Sequence, residues 1–275
     1  MRERVALLTF LAVLGITVAK LAVYALTSSM AAFTEFVDSV TDIATSALAL
    51  LSVRLSRKPP DEDHHYGHGK AEALAGYTIG LFAGTSLAYV VAELVKRVLE
   101  GYIVRSDPLA VQIAAAIVAV DSGLAGVNYL GYRASKSVAL RANAVNYMGD
   151  SLRALGVLTA ITTAWLDPFV TAVLASILAV EVFHLLREST SILMDEASEE
   201  LTRRIAESLR GVEEVEEVRK IRVRHSGTHY QVDVVVAVKG GKTIEEAHRA
   251  ADEVEKRVKA ALGAEVDVLV HVEPC

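Results

Sequence analysis

Two pairs of oxygen-bearing side chains lie inside apolar stretches of the sequence. Asp38 and Asp42 occur in FVDSVTDIATS, and Asn146 and Asp150 occur in NAVNYMGDS with Asn143 on the same side. Each pair is spaced i,i+4, which puts both members on one helix face, one turn apart. Two like charges in hydrocarbon are prohibitive without a cation or protons. The matched pairs therefore point to a metal or proton site built from four oxygen ligands on two helices. The bland rival is a polar packing cluster with protonated aspartates. Asp121 and Glu181 fit that rival, or a water path.

A second constellation is Asp61-Glu62-Asp63-His64-His65-Tyr66-Gly67-His68, with three histidines and three acids in eight residues. That is a metal-site composition. His64 and His68 share a face if the helix after them starts early, and Gly67 and Gly69 allow a tight turn before Lys70 and Glu72. A third set is Asp233, His248, His271 and Glu273. His271 and Glu273 share a strand face by period two, and the four residues could converge. Against this, His248 also reads as a half-exposed helix residue. The chain has no HExxH and no Ser–His–Asp order, which argues against an enzyme with a metal centre. Its one cysteine, Cys275, excludes an intrachain disulfide and a CxxC motif. The net charge is −6 and no stretch forms a basic groove, so nucleic acid is not an expected partner.

These residues need a scaffold. Over the 275 residues charges are thin from Val5 to about Leu186 and crowded after Asp195. The division predicts an all-helical transmembrane domain over 1–190 and a small cytoplasmic α+β domain over 191–275. Six apolar stretches are long enough to cross a bilayer, which takes about 20 helical residues. They run approximately Val5–Thr27, Ala31–Val53, Ala73–Val95, Leu109–Tyr129, Val138–Trp165 and Pro168–Leu186. Asp167 and Pro168 read as the N-cap and first residue of the sixth. Gly80 and Gly84 form a GxxxG pair that could mark close helix packing. The N-terminal run reads as a retained first helix, not a cleaved signal. Arg54, Arg57, Lys58, Lys70, Arg133, Lys136 and Arg141 fall on the side of Arg2 and Arg4. The positive-inside rule then puts both termini in the cytoplasm of a multi-pass cell-membrane protein.

The tail reads helix, strand, strand, helix, strand: Ser198–Leu209, Val215–Arg224, Tyr230–Val238, Thr243–Ala261 and Glu265–Val272. Ser226–Gly227 and Gly240–Gly241 are the expected turns. Such an order makes a sheet with helices on one face. So small a domain has a limited core, so support from a partner chain or a metal fits it.

VDSVTD at 37–42, PPDEDHHYGHGKAE at 59–72 and the terminal HVEPC together resemble the cation diffusion facilitator family. The resemblance implies a homodimeric six-helix transporter in the lipid bilayer that exports divalent metal, often in exchange for protons. It implies a transport site of Asp38, Asp42, Asn146 and Asp150, and a second site of Asp61, His64 and His68. It also implies a pairing of Lys70 with Asp195, and a tail site with residues from both chains on Asp233, His248, His271 and Glu273. The sequence departs from the family pattern at three positions. Asn146 stands where zinc-transporting members typically have histidine, Asp233 where histidine is common, and Arg219 where the pattern has a further histidine. An amide in place of an imidazole hardens the site, which suits manganese or magnesium better and leaves zinc and ferrous iron possible, since carboxylates bind both. The expected function is divalent metal efflux by alternating access, not catalysis. A membrane-bound metal sensor or a structural membrane dimer is the alternative.

Overall fold

The computed structural model describes residues 2–56, 58–101, 103–136, 138–225, 229–263 and 266–275. Arg57, the Ser226–Gly227 turn and Glu265 lie outside the described residues. Six helices of 25 to 30 residues come first: α1 (Arg2–Thr27), α2 (Met30–Ser56), α3 (Ala71–Glu100), α4 (Pro108–Ser135), α5 (Val138–Thr162) and α6 (Asp167–Leu193). Among the described residues, Ala71–Glu100, Pro108–Ala134 and Ala164–Leu193 are each long and apolar enough to cross a membrane. The chain divides into two compact units, one of Met1–Ser46 with Ile79–His184, the other of Ala47–Thr78 with Leu185–Cys275.

In the first unit the core is made largely of small side chains. Ala31, Ala32, Ala110, Ala114 and Ala160 meet Val23, Val157, Ile161 and Leu174. Small residues let helix backbones approach closely, which replaces the hydrophobic drive that lipid does not supply. Gly84 of the GxxxG pair does not require this, since a Cβ there would meet Val182 Cγ1 at an ordinary 3.6 Å.

Two Asp-Pro dipeptides behave differently. Asp107 is a true N-cap for α4, extended at φ −121°, accepting from Leu109 N at 2.8 Å and Ala110 N at 3.1 Å, with Pro108 next. Asp167 corrects the sequence expectation. A short 3-10 turn, Ala164–Leu166, precedes it, and its own dihedrals are helical at φ −56°, ψ −44°. Its carboxylate reaches the start of α2 instead, accepting from Met30 N at 3.0 Å and from Ser29 Oγ. Ser29 Oγ in turn accepts from Ala32 N at 3.1 Å, so two of the orphan N–H groups of α2 are satisfied.

The second unit holds the tail, with elements in the expected order. They are α7 (Glu199–Ser208), β1 (Glu217–His225), β2 (Tyr230–Val238), α8 (Ile244–Leu262) and β3 (Val266–Pro274). The sheet order is β1-β2-β3, with β1–β2 antiparallel and β2–β3 parallel. A parallel pair needs a crossover, and α8 is that crossover. A capping box of Thr243 and Glu246 starts α8, and Gly263 at φ +62° ends it. Val232, Val234 and Val236 of β2 pack with Val223 against Ile205, Leu209, Val254 and Val258, so α7 and α8 cover one face of the sheet.

Candidate metal sites

Asp38 of α2 and Asp150 of α5 converge on one side chain in the first unit. Asp38 is buried, and Asp150 is half-buried. They meet through Arg153, whose Nη2 lies 2.5 Å from Asp150 Oδ1 and 3.5 Å from Asp38 Oδ2. Asn146 Nδ2 donates weakly to Asp150 Oδ2 at 3.5 Å. Asp42 and Asn143 are exposed on their helices. Three charges that the sequence reading passed over stand beside these residues. Lys20 Nζ of α1 is 2.9 Å from Glu35 Oε2 and donates to Ser39 Oγ at 2.8 Å. Arg153 also touches Glu35 at 3.4 Å and Glu181 at 3.7 Å. The signal for them was present: an ionisable residue in an apolar helix marks a functional site by default, and Glu35 shares a face with Asp38 and Asp42. Asp121 is buried on α4.

The histidine loop, in the second unit, gathers by a route the sequence reading did not foresee. Helix α3 starts at Ala71, so His64 and His68 do not share a helix face. An aspartate turn does the work. Asp61 Oδ1 accepts from Asp63 N at 3.2 Å and from His64 N at 2.8 Å, and Gly67 turns at φ +75° while its N–H bonds to His64 O at 2.9 Å. The rings of His64 and His68 end 4.3 Å apart, and His68 Nε2 is 3.5 Å from Asp61 Oδ2. One ligand atom from each of Asp61, His64 and His68 lies within 4.8 Å of the others. The buried Nδ1 of His68 has no hydrogen-bond partner. The His64 backbone N–H, foremost among several donors, holds the Asp61 carboxyl below the usual carboxylate range. Two imidazoles and a carboxylate fit a zinc-like ion. Nearby, the Arg224 guanidinium stacks 4.4 Å from the Tyr66 ring centroid, and Lys70 Nζ pairs with Asp195 at 2.8 Å.

The tail residues are divided by the sheet. Asp233 lies between the buried valines of β2 and faces away from the helices, on the side of Arg219, Lys220, Arg222 and Glu273. His271 Nε2 is 3.5 Å from Glu273 Oε1. His248 sits on α8, largely exposed, 3.8 Å from Asp252. The chain by itself does not bring His248 to the other three, because α8 packs on the opposite sheet face. Arg219, at the position of the expected histidine, forms an ion pair with Glu273.

Residues 6–194 match the family described as the cation efflux transmembrane domain, and residues 197–275 match the cation efflux protein cytoplasmic domain. The manganese efflux system protein MneP of Bacillus subtilis is 27% identical over 290 residues, covering 99% of this chain and 96% of that protein. The cation-efflux pump FieF of Serratia proteamaculans is 30% identical over 258 residues, covering 90% of this chain and 85% of that protein. A solved structure of MamM-CTD is 26% identical, covering 28% of this chain and 98% of that chain with a TM-score of 0.27.

Proposed function

Since this chain belongs to the cation diffusion facilitator family of membrane proteins that export divalent metal cations, we propose that it carries manganese or ferrous iron, accepts zinc in part, and returns protons. Asp38, Asp42, Asn146 and Asp150 are the ligands of the moving ion. The observation that carries this reading is the meeting of Asp38 and Asp150, from two helices, on one cationic group. Asp38 and Asp150 already converge on one positive charge, and a divalent ion bound between them would draw the two carboxylates closer. Rocking of helices around that fixed point exposes it to each side in turn. Protonation of the aspartates competes with metal, so a proton gradient drives release. The name of MneP, a manganese efflux protein, supports the metal assignment, as does the all-oxygen ligand set.

Residues 1–190 form the transport domain with six spans, and residues 191–275 form a cytoplasmic domain that pairs two copies. Both termini are cytoplasmic. Asp61, His64 and His68 hold a modulatory ion at the cytoplasmic edge. Asp233, His271 and Glu273 take a further ion in the homodimer, with His248 supplied by the other copy. The test is uptake of manganese, ferrous iron, zinc, cadmium and cobalt by proteoliposomes, with and without an imposed pH gradient. Wild type moves manganese and Asp150→Asn falls to the level of empty liposomes. Equal flux in the two proteins removes Asp150 from the site. Flux indifferent to the pH gradient, with proton leak excluded, removes antiport. Labelling of Cys275 from outside intact cells removes the topology.

A further inference from the structure

Arg153 lies one turn beyond Asp150 on α5 and touches carboxylates from three helices. Its Nη2 meets Asp150 Oδ1 at 2.5 Å and Asp38 Oδ2 at 3.5 Å, its Nε lies 3.4 Å from Glu35 Oε1, and its Nη1 lies 3.7 Å from Glu181 Oε1. The Nε atom is buried without a hydrogen bond. The contrast with Lys20 is informative. Lys20 Nζ is bonded to both Glu35 and Ser39 at under 3 Å and is a settled partner of α2. Arg153 is spread over more carboxylates than it can bond well, and Glu181, the last of them, has a side chain that is 52% exposed.

A guanidinium keeps its charge at any pH a cell reaches, so it cannot leave the site by losing a proton. An ion bound by both Asp38 and Asp150 needs the oxygens that Arg153 holds, and two cations on the same oxygens repel. We propose that Arg153 is a tethered counter-ion which the divalent cation displaces on binding, and which returns to Asp38 and Asp150 to expel it. This rests on the assignment of those two residues as transport ligands. Glu181 is the resting place of the displaced guanidinium, since it already lies within reach and has room around it. The cycle then never leaves a pair of bare carboxylates in the membrane, which would be costly. Arg153 is a positioning residue in this scheme, and it trades affinity for release.

The experiment uses the full-length protein in proteoliposomes, with manganese as the probe, and compares wild type, Arg153→Gln, Arg153→Lys and Asp150→Asn. With Arg153→Gln, KM and kcat should both fall by about tenfold, since binding meets one competitor fewer and protons alone are left to drive release. Arg153→Lys, which keeps the charge, should restore part of both. A residue that only holds α5 against α2 would lower the amount of folded protein and leave KM unchanged or raise it. That result overturns the proposal. Should Arg153→Gln not fold, infrared difference spectra of wild type with isotope-labelled arginine decide the matter. Manganese should shift a guanidinium band, and an unmoved band overturns the proposal. Wild-type manganese binding by Asp150→Asn would instead sink the site assignment itself.

Discussion

The carboxylate of Asp167, at the start of α6, accepts the backbone N–H of Met30, the first residue of α2, at 3.0 Å. Asp167 is fully buried, and it orders the end of the helix that carries Asp38 and Asp42. A buried helix N-terminus without an acceptor leaves a desolvated N–H. Asp167→Ala should therefore lower stability by about 2 kcal/mol, and Asp167→Asn, which keeps an acceptor oxygen, by less. Thermal unfolding in detergent reads the difference. An unchanged midpoint for the alanine variant would show that water takes over the bond.

Lys20 and Glu35 form a buried ion pair between α1 and α2. Removing Glu35 leaves Lys20 charged and buried, at a cost of about 3 kcal/mol or more, while removing Lys20 leaves Glu35 with Arg153 and costs less. Lys20→Met and Glu35→Leu should each destabilise the protein, and the double variant should lie closer to wild type than their sum. A double-mutant cycle measures this, and simple additivity would mean that the two charges do not support each other.

Asn146 sets the hardness of the proposed transport site. Asn146→His should move preference from manganese towards zinc and add a titratable group, so the pH dependence of flux should move with it. Competition uptake at fixed pH checks this. An unaltered preference in a folded, well-expressed variant would leave Asn146 as a packing residue.

His64 and His68 lie together with Asp61. His64→Ala with His68→Ala should change KM or rate severalfold and leave flux in place. Complete loss of flux from folded protein would put the loop on the ion's essential path.

His225 supplies a pH prediction for the tail. Burial, then the neighbouring His229, pushes its imidazole below the ordinary value, against the pull of Glu72. The folded protein thus binds a proton there less readily than the unfolded chain. The associated stability is present above the ordinary imidazole value of about 6.5 and is lost as pH falls through the lowered one. Full-length protein should melt lower at about pH 5 than at about pH 8, and His225→Phe should reduce that gap. An equal gap in both proteins would place the acid sensitivity elsewhere.

What the sequence determined by itself was set within a few residues. Long apolar runs, the helix-strand-strand-helix-strand order and the i,i+4 spacing of Asp38 with Asp42 all follow from backbone periodicity and near neighbours. The tertiary structure decided the partners. Asp107 and Asp167 both precede proline, yet one caps its own helix and the other caps α2, because Ser29 and Met30 are packed beside the second. His64 meets His68 through the turn around Asp61 and not through a helix face. His248 is parted from Asp233 because α8 covers the face of the sheet that Asp233 does not use. Arg153, unremarked among apolar neighbours in the sequence, reaches Glu35, Asp38 and Glu181 because α2 and α6 pack around α5. A side chain's local spacing shows which way it points along its own helix, while packing alone brings an opposite charge from a distant segment to meet it.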